Sequence, residues 1–150
     1  MLRIRPFSLS DLDSLLQIEN LSFPKSPYDW TTFLNLYGLY PKTFLVYHNT
    51  NRSWKKEKIG GYIIFTQHGH IISIAVHPQY RRKGIGTQLL QRVMKTSHLK
   101  KVWAEVRRSN QSALAFYSKM GFQMTGVIPN YYGNEDALII QWAPAICESD

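Results

Sequence analysis

Five positions between residues 81 and 86 have the chemistry to bind a phosphate group. Arg81, Arg82 and Lys83 are three consecutive basic residues, and Gly84 and Gly86 follow them. Glycine has no Cβ, so the main chain at these positions can approach an anion closely and can adopt positive φ. If a helix begins here, its first N–H groups lack intrahelical partners and carry the positive end of the helix dipole. This arrangement would suit a ligand that carries a pyrophosphate.

The flanking sequence predicts a strand before this turn and a helix after it. Residues 71–76 are apolar and largely β-branched, and Pro78 cannot continue a strand ladder. After Gly84, apolar residues recur at helical spacing: Ile85, Leu89, Leu90, Val93 and Met94. The turn lacks the Gly-Lys-Ser/Thr of a Walker A loop and the G-x-G-x-x-G of dinucleotide-binding folds. From these residues alone, an ordinary turn with solvated basic side chains is an equally good interpretation.

Three sequence blocks together resemble the GCN5-related N-acetyltransferases (GNAT). The first, Arg81-x-x-Gly84-x-Gly86, matches the acetyl-CoA signature Gln/Arg-x-x-Gly-x-Gly/Ala of that family. Residues 104–122 and 131–137 are similar to the subgroup that acetylates ribosomal-protein alanines and other protein N-termini. The blocks follow one another in the family's order. The resemblance implies an α/β GNAT fold, in which a single mixed, mostly antiparallel seven-stranded sheet is flanked by about four helices.

The resemblance also implies acetyl-CoA as cosubstrate and no metal. The backbone of residues 74–76 would pair with the pantetheine amides as an added strand does, and the N–H of Val76 would polarise the thioester carbonyl. Asn110 and Tyr117 are seven residues apart, which places both on one helical face. N-capping of the helix is the alternative role for Asn110. The implied cofactor-binding residues are Ile74, Ala75, Val76, Arg81, Arg82, Lys83, Gly84, Ile85, Gly86, Asn110 and Tyr117.

The chemistry of acetyl transfer to an amine favours a protein N-terminus, because the attacking amine must be neutral. An α-amino group titrates near 7.7–8.0 and a lysine near 10.4, so neutralising lysine costs about 3.4 kcal/mol more. By resemblance Glu105, acting through one water, is the candidate base. The alternative is an exposed strand carboxylate that pairs with Arg107 or Lys101.

His70 is the rival base, since a neutral imidazole is suited to proton transfer near pH 7. Alternatively, His68 and His70 only flank a turn at Gly69, and no cysteine or acidic residue adjoins them in sequence to suggest a metal site. The resemblance implies a third catalytic residue, Tyr117, which would protonate the leaving thiolate. Packing in the core, as for Phe116, is the alternative for Tyr117.

Two aromatic segments are the candidates for binding the peptide substrate. Phe23, Pro24 and Tyr28 lie in one predicted loop, and Tyr131 and Tyr132 lie in another. Aromatic walls would leave a narrow slot for an extended N-terminus. Several relatives carry an acidic residue after the proline, where this chain has Lys25, so the preferred first residue of the substrate stays open. Exposure at a hairpin tip is the alternative role for Tyr131 and Tyr132.

Size and charge fit one compact enzyme. We expect residues 1–150 to form a single N-acetyltransferase domain that is a monomer or weak dimer. The net charge of +8 would attract coenzyme phosphates or a ribosomal particle, without a motif for direct nucleic acid readout. The absence of an apolar span and the lone Cys147 favour a cytoplasmic protein that does not associate with a membrane.

Two other functions are left open. The same fold and cofactor could serve acetylation of a small-molecule amine or a lysine side chain. A non-catalytic module that binds acetyl-CoA or RNA is the rival from another class. The expected partners of the enzyme are protein or peptide N-termini, with ribosomal proteins or the ribosome among them.

The remaining elements are predicted from local patterns. Ser8 and Ser10 precede an apolar helix, and a second helix starts near Trp30. Apolar and polar residues alternate from Val102 to Arg107, which predicts a strand with one apolar face and Glu105 on the other. The other predicted ranges are strands 43–47, 59–66 and 70–76, helices 84–97 and 110–120, and a closing hairpin of strands 123–130 and 136–142.

Overall fold

The computed structural model describes residues 3–49, 58–96 and 98–145, which form four α-helices and seven β-strands. Cys147 lies outside these residues. The chain divides into two compact units, of which the first comprises Met1–Thr66 and Ile71–Lys95 and the second Gln67–His70 and Thr96–Asp150. Within the described ranges, no helix is both long and apolar enough to cross a membrane.

The first unit contains a four-stranded antiparallel sheet and three α-helices. Its strands are β1 (Ile4–Pro6), β2 (Phe44–Asn49), β3 (Lys58–Phe65) and β4 (Ile71–Val76), and they lie in that order across the sheet. Its helices are α1 (Leu12–Ser22), α2 (Trp30–Leu39) and α3 (Ile85–Met94). The sheet and the first two helices enclose an apolar core of Phe7, Leu15, Ile18, Phe33, Phe44, Val46, Ile59, Tyr62, Ile64 and Ala75.

Capping residues define where these helices begin. Asp11 accepts a hydrogen bond from the backbone N–H of Ser8 at 2.9 Å and forms a capping box with it just before α1. The Asp29 carboxylate accepts from the N–H of Thr32 at 2.9 Å and caps α2. The predicted helix starts after Ser8 and at Trp30 are therefore confirmed.

The second unit contains the three remaining strands and one helix. They are β5 (Val102–Arg107), α4 (Gln111–Lys119), β6 (Gln123–Ile128) and β7 (Ala137–Trp142), with the antiparallel sheet order β5-β7-β6. Along β5, Val102, Ala104 and Val106 are buried and the residues between them are half-buried, as the alternating pattern predicted. The helix ends at Met120, and Gly121 follows with φ +94°.

The strand and helix counts confirm the expected α/β architecture, and the strand connectivity refines it. Hydrogen bonding divides the seven strands into separate sheets of four and three, and every strand pair is antiparallel. The parallel component of the expected mixed sheet appears as an isolated bridge between His70 and Trp103, inside the second unit. Element boundaries differ from the sequence prediction by at most a few residues. The helix expected to reach residue 97 ends at Met94.

Candidate active site

The basic turn before α3 has the backbone geometry of an anion-binding loop. β4 ends at Val76, and a short 3-10 helix, Pro78–Tyr80, leads into the exposed residues Arg81, Arg82 and Lys83. Arg82 has φ +64° and Gly84 has φ +78°, and Gly84 is the N-cap of α3 without a side-chain cap. Glycine adopts the positive φ at Gly84 without the steric cost that a Cβ would bring. The predicted strand, turn and helix are confirmed, and the first N–H groups of α3, at Ile85 and Gly86, begin beside three cationic side chains.

The backbone of β4 presents two of the three predicted coenzyme-pairing residues, 74–76, to the edge opposite β3. β4 is the terminal strand of its sheet, and the His77 N–H donates to the Gly60 carbonyl of the neighbouring segment at 2.8 Å. Because backbone groups in an antiparallel ladder alternate in direction, Ala75 also faces β3, whereas Ile74 and Val76 face away from it. These two residues are therefore the ones whose amides can pair with an added strand. The side chain of Ala75 is buried, and its predicted contact with the cofactor stays a prediction.

Glu105 and His70, the rival bases, are hydrogen-bonded to each other. His70 Nε2 lies 2.7 Å from Glu105 Oε2, and their side chains are 32% and 19% exposed, so water can reach both. The His70 ring also stacks on Trp103, with centroids 5.1 Å apart. Glu105 is thus the acidic neighbour that His70 lacks in sequence. Among the described residues, however, no three potential metal ligands come together.

A glycine turn fixes the position of His70. Gly69 has φ +100°, and its carbonyl accepts from the Trp103 N–H at 3.0 Å. A Cβ on Gly69 would lie 2.1 Å from the Lys101 carbonyl oxygen, so a larger residue cannot fit there without moving the backbone. The interpretation in which His70 flanks a turn is therefore also correct, and the turn places the imidazole beside Glu105.

Tyr117 lies on α4 among aromatic side chains of the second unit. It is 5% exposed, and its ring centroid is 5.3 Å from that of Phe116 and 5.2 Å from that of Phe122. Burial, assisted by the charge of Tyr132, raises the pKa of the Tyr117 phenol far above its usual range. The phenol therefore stays protonated at neutral pH and can donate. Packing and proton donation are both compatible with this position.

Asn110 caps α4 with its side chain. Asn110 Oδ1 accepts from the Ala113 N–H at 3.1 Å and from the Ser112 hydroxyl at 3.2 Å. N-capping, the alternative role given to this residue, is therefore present. Its predicted contact with the cofactor stays a prediction.

The candidate substrate residues of the first unit lie in the segment between α1 and α2. Phe23 and Tyr28 are half-buried and pack against the apolar core, while Pro24 and Lys25 are exposed. The Tyr28 ring meets Phe33 edge-on at 5.8 Å. Both aromatic side chains thus have a packing role that sequence reasoning did not assign to them.

The candidate substrate residues of the second unit lie in the β6–β7 loop. Tyr131 is 52% exposed, and Tyr132 meets it edge-on at 4.9 Å. The Arg107 guanidinium lies 4.1 Å from the Tyr132 ring centroid, which is within cation–π range. Burial, with a smaller effect from Tyr131, raises the pKa of Tyr132 to about 12, although Arg107 opposes the shift.

Glu135 holds this loop to the end of β5, a role that sequence analysis missed. Its carboxylate accepts from the Ser109 hydroxyl at 3.0 Å, the Ser109 N–H at 3.2 Å and the Arg107 guanidinium at 3.1 Å. These bonds lower the pKa of Glu135, with the Ser109 hydroxyl contributing most. Arg107 is therefore engaged by Glu135; the sequence offers it, or Lys101, as the alternative partner of Glu105.

Comparison with known proteins gives consistent matches over most of the chain. The sequence profile of the Acetyltransferase (GNAT) family matches residues 12–122, which include parts of both units. An N-alpha-acetyltransferase of Sulfurisphaera tokodaii is 33% identical over 155 residues, covering 95% of this chain and 92% of that protein.

Two solved structures share the fold at somewhat lower identity. Naa20 from Chaetomium thermophilum, solved in complex with a bisubstrate analogue, is 27% identical with a TM-score of 0.78, covering 95% of this chain and 86% of that chain. The ribosomal-protein-S18-alanine N-acetyltransferase from Escherichia coli is 26% identical with a TM-score of 0.75, covering 98% and 97%. On the profile match and the Sulfurisphaera relative together, the chain belongs to the GNAT family of acetyltransferases.

Proposed function

We propose that this protein transfers an acetyl group from acetyl-CoA directly to the free α-amino group of a protein N-terminus. The relative from Sulfurisphaera tokodaii is named for this activity, and the Escherichia coli enzyme is named for an alanine of ribosomal protein S18. The observation that carries the proposal is the half-exposed His70–Glu105 pair, because a positioned carboxylate–imidazole pair can accept a proton from an amine. We further propose that residues 1–150 act as one catalytic domain.

The first unit has the groups that fit the coenzyme. The cationic turn and the uncapped start of α3 would bind its phosphates, and the outward-facing amides of Ile74 and Val76 would pair with its pantetheine arm. The Val76 N–H would polarise the carbonyl under attack, as oxyanion-binding donors do. Acetyl-CoA itself supplies the acetyl group as a reactive thioester.

The second unit has the groups that fit the proton transfers. Glu105 and His70, through a water, would take the proton of the ammonium group, so that the neutral amine attacks. Tyr117, which burial keeps protonated, would donate a hydrogen bond to the departing thiolate and stabilise its charge; it would pass on its proton only where the site favours that transfer, because the raised pKa opposes it. The amine and thioester react directly in a ternary complex, without a covalent enzyme intermediate: the C–N bond forms as the C–S bond breaks. The nitrogen loses its second proton as the amide forms, which balances the proton that the thiolate takes up.

The substrate loops would hold an extended peptide by its first residues. Tyr28 and Tyr132 are both half-buried, so each side chain packs within its own unit and keeps a solvent-facing part. Lys25 is exposed in the same segment as Tyr28 and gives that segment a positive charge.

Mass spectrometry of a peptide library with randomised N-termini, incubated with the protein and acetyl-CoA, tests the proposal. We expect a mass increase only on peptides with a free α-amine. A matched library with blocked N-termini and an internal lysine should stay unmodified. Acetylation of the blocked library would show lysine acetylation. Coenzyme binding without acetylation of either library would reject the proposal in favour of a small-molecule acetyltransferase or a non-catalytic module.

A further inference from the structure

Glu19 is a buried acid to which the proposed mechanism assigns no role. It lies on the apolar face of α1 with Leu15 and Ile18, and it is 2% exposed. Its Oε1 accepts from the backbone N–H of Tyr28 at 3.0 Å, and its Oε2 accepts from the Tyr62 hydroxyl. Burying a carboxylate costs desolvation free energy, so a buried one is found where hydrogen-bond partners compensate that loss. The two bonds therefore define the position of the Glu19 side chain.

The partners of Glu19 belong to three different segments of the first unit. Tyr28 is the last residue of the proposed peptide-binding segment, residues 23–28. Tyr62 is on β3, and its Oη lies 2.9 Å from the Ser73 hydroxyl on β4. Burial raises the pKa of Tyr62 well above its usual range, so its phenol keeps a proton to donate to Glu19. Ser73 then donates to the Tyr62 oxygen. The carboxylate thereby connects the peptide-binding segment to the strand that carries Ile74 and Val76.

We propose that Glu19 is a positioning residue that fixes the peptide-binding segment, residues 23–28, through the Tyr28 amide. The inference rests on the proposed function. If the segment is already ordered in the free enzyme, less conformational entropy is lost when the peptide binds. Loss of this bond should therefore raise the KM for peptide and leave the KM for acetyl-CoA unchanged.

Three variants separate positioning from stability. Glu19→Met keeps the length of the side chain and removes both acceptors, and we expect the peptide KM to rise at least about tenfold with little change in kcat. Glu19→Gln keeps an acceptor for Tyr28 and a partner for Tyr62, so it should restore the wild-type KM. Asp11→Asn is the matched control, because Asp11 is also buried and bonded to Arg5 and Ser8 away from the loop. It should lower the melting temperature without changing the peptide KM.

Hydrogen–deuterium exchange at the Tyr28 amide gives a readout that does not depend on turnover. Exchange should be slow in the wild type and Glu19→Gln, and at least about tenfold faster in Glu19→Met. If Glu19→Met does not fold, Tyr62→Phe replaces it, with an expected rise of about threefold or more in peptide KM.

The outcomes separate this inference from the proposed function. An active wild type whose Glu19→Met variant keeps its peptide KM and its Tyr28 exchange rate would overturn the inference alone. The same holds if Glu19→Met raises both KM values together, since that pattern reports general destabilisation. A wild type that acetylates no peptide would reject the proposed function and, with it, the positioning role.

Discussion

Nε2 of His70 and Oε2 of Glu105 lie 2.7 Å apart, so the two residues that the sequence offers as competing bases form one hydrogen-bonded pair. The carboxylate orients the imidazole, and Trp103 supports the ring from one face. A pair of this kind acts as a unit, and the contributions of its members are then not additive.

We expect His70→Ala and Glu105→Gln each to lower kcat about a hundredfold. The kcat of the double variant should lie within about threefold of the kcat of the less active single variant. Steady-state kcat at saturating acetyl-CoA and peptide measures this. His68→Ala, two residues away in the same turn, is the control and should keep the wild-type kcat. Fully multiplicative losses would mean that the two residues act independently.

Tyr117→Phe tests the proton donor without disturbing the packing. The phenylalanine ring keeps the contacts with Phe116 and Phe122, so acetyl-CoA affinity should stay within about twofold while kcat falls about a hundredfold. Calorimetry and steady-state kinetics measure the two quantities. Phe122→Leu, which should lower stability but not kcat, is the control for packing. An unchanged kcat in Tyr117→Phe would assign this residue to the core alone.

Gly84→Val tests the coenzyme turn. Among the described residues, a Cβ at Gly84 meets only Gln88 Nε2, at 3.9 Å, so the cost comes from φ +78° rather than from a clash. A β-branched residue strains this conformation, and we expect acetyl-CoA binding to weaken at least about tenfold. Calorimetric titration measures it. Gly121→Val, at φ +94° after α4, imposes a similar strain and should leave the affinity unchanged. Equal losses in the two variants would argue against binding at the turn.

Glu135→Ala tests the position of Tyr132. It removes the acceptor of Arg107 and of both Ser109 donors, so the β6–β7 loop loses three of its bonds to the end of β5 and the segment after it. We expect the peptide KM to rise about tenfold, with acetyl-CoA affinity unchanged. Arg108→Ala, which breaks the more exposed pair with Asp136, is the control and should have little effect. Equal KM values for wild type and Glu135→Ala would remove Tyr132 from the peptide site.

The stability of the wild type relative to Glu19→Gln should fall as the pH rises. Burial raises the pKa of Glu19, although its bonds with Tyr62 and Tyr28 oppose the shift. The folded state therefore binds the proton more tightly than the unfolded state, and this contribution is present below the unfolded pKa of about 4.3 and lost as the pH rises through the folded value.

Urea unfolding of the wild type and the variants from about pH 2 to pH 8 measures the difference, because the contribution of a carboxyl with a lowered pKa is lost only below about pH 4. For Asp11→Asn, the stability of the wild type relative to the variant should change with pH in the opposite direction. Burial would raise the pKa of Asp11, but the bonds from Arg5 and Ser8 lower it on balance, so its contribution is lost as the pH falls. A wild-type advantage over Glu19→Gln that grows with pH would contradict the raised pKa.

Local sequence patterns predicted most of the fold because they act over a few residues. Pro78 ends β4, the alternation from Val102 to Arg107 gives β5 its two faces, and Gly84 starts α3. The backbone at Arg82 was not foreseeable, because positive φ is rare for a residue with a Cβ.

The site depended more on contacts that are distant in sequence. His70 and Glu105 are 35 positions apart, and Glu19 and Tyr62 are 43 positions apart. One signal was available for Glu19, since a carboxylate on the apolar face of a helix must find buried partners. The sequence shows that such a residue needs partners, and only the folded chain shows which ones.

The fit of Gly69 against the Lys101 carbonyl limits how this region can vary by insertion or deletion. Successive residues of an extended chain point to opposite sides. His70 bridges to Trp103 of β5, so one residue inserted between Gly69 and His70 would turn the imidazole away from Glu105. Substitutions at the exposed residues Gln67 and His68 should leave the direction of the imidazole unchanged. Homologous chains that keep this pair should therefore tolerate substitution at residues 67 and 68, but not an insertion between Gly69 and His70.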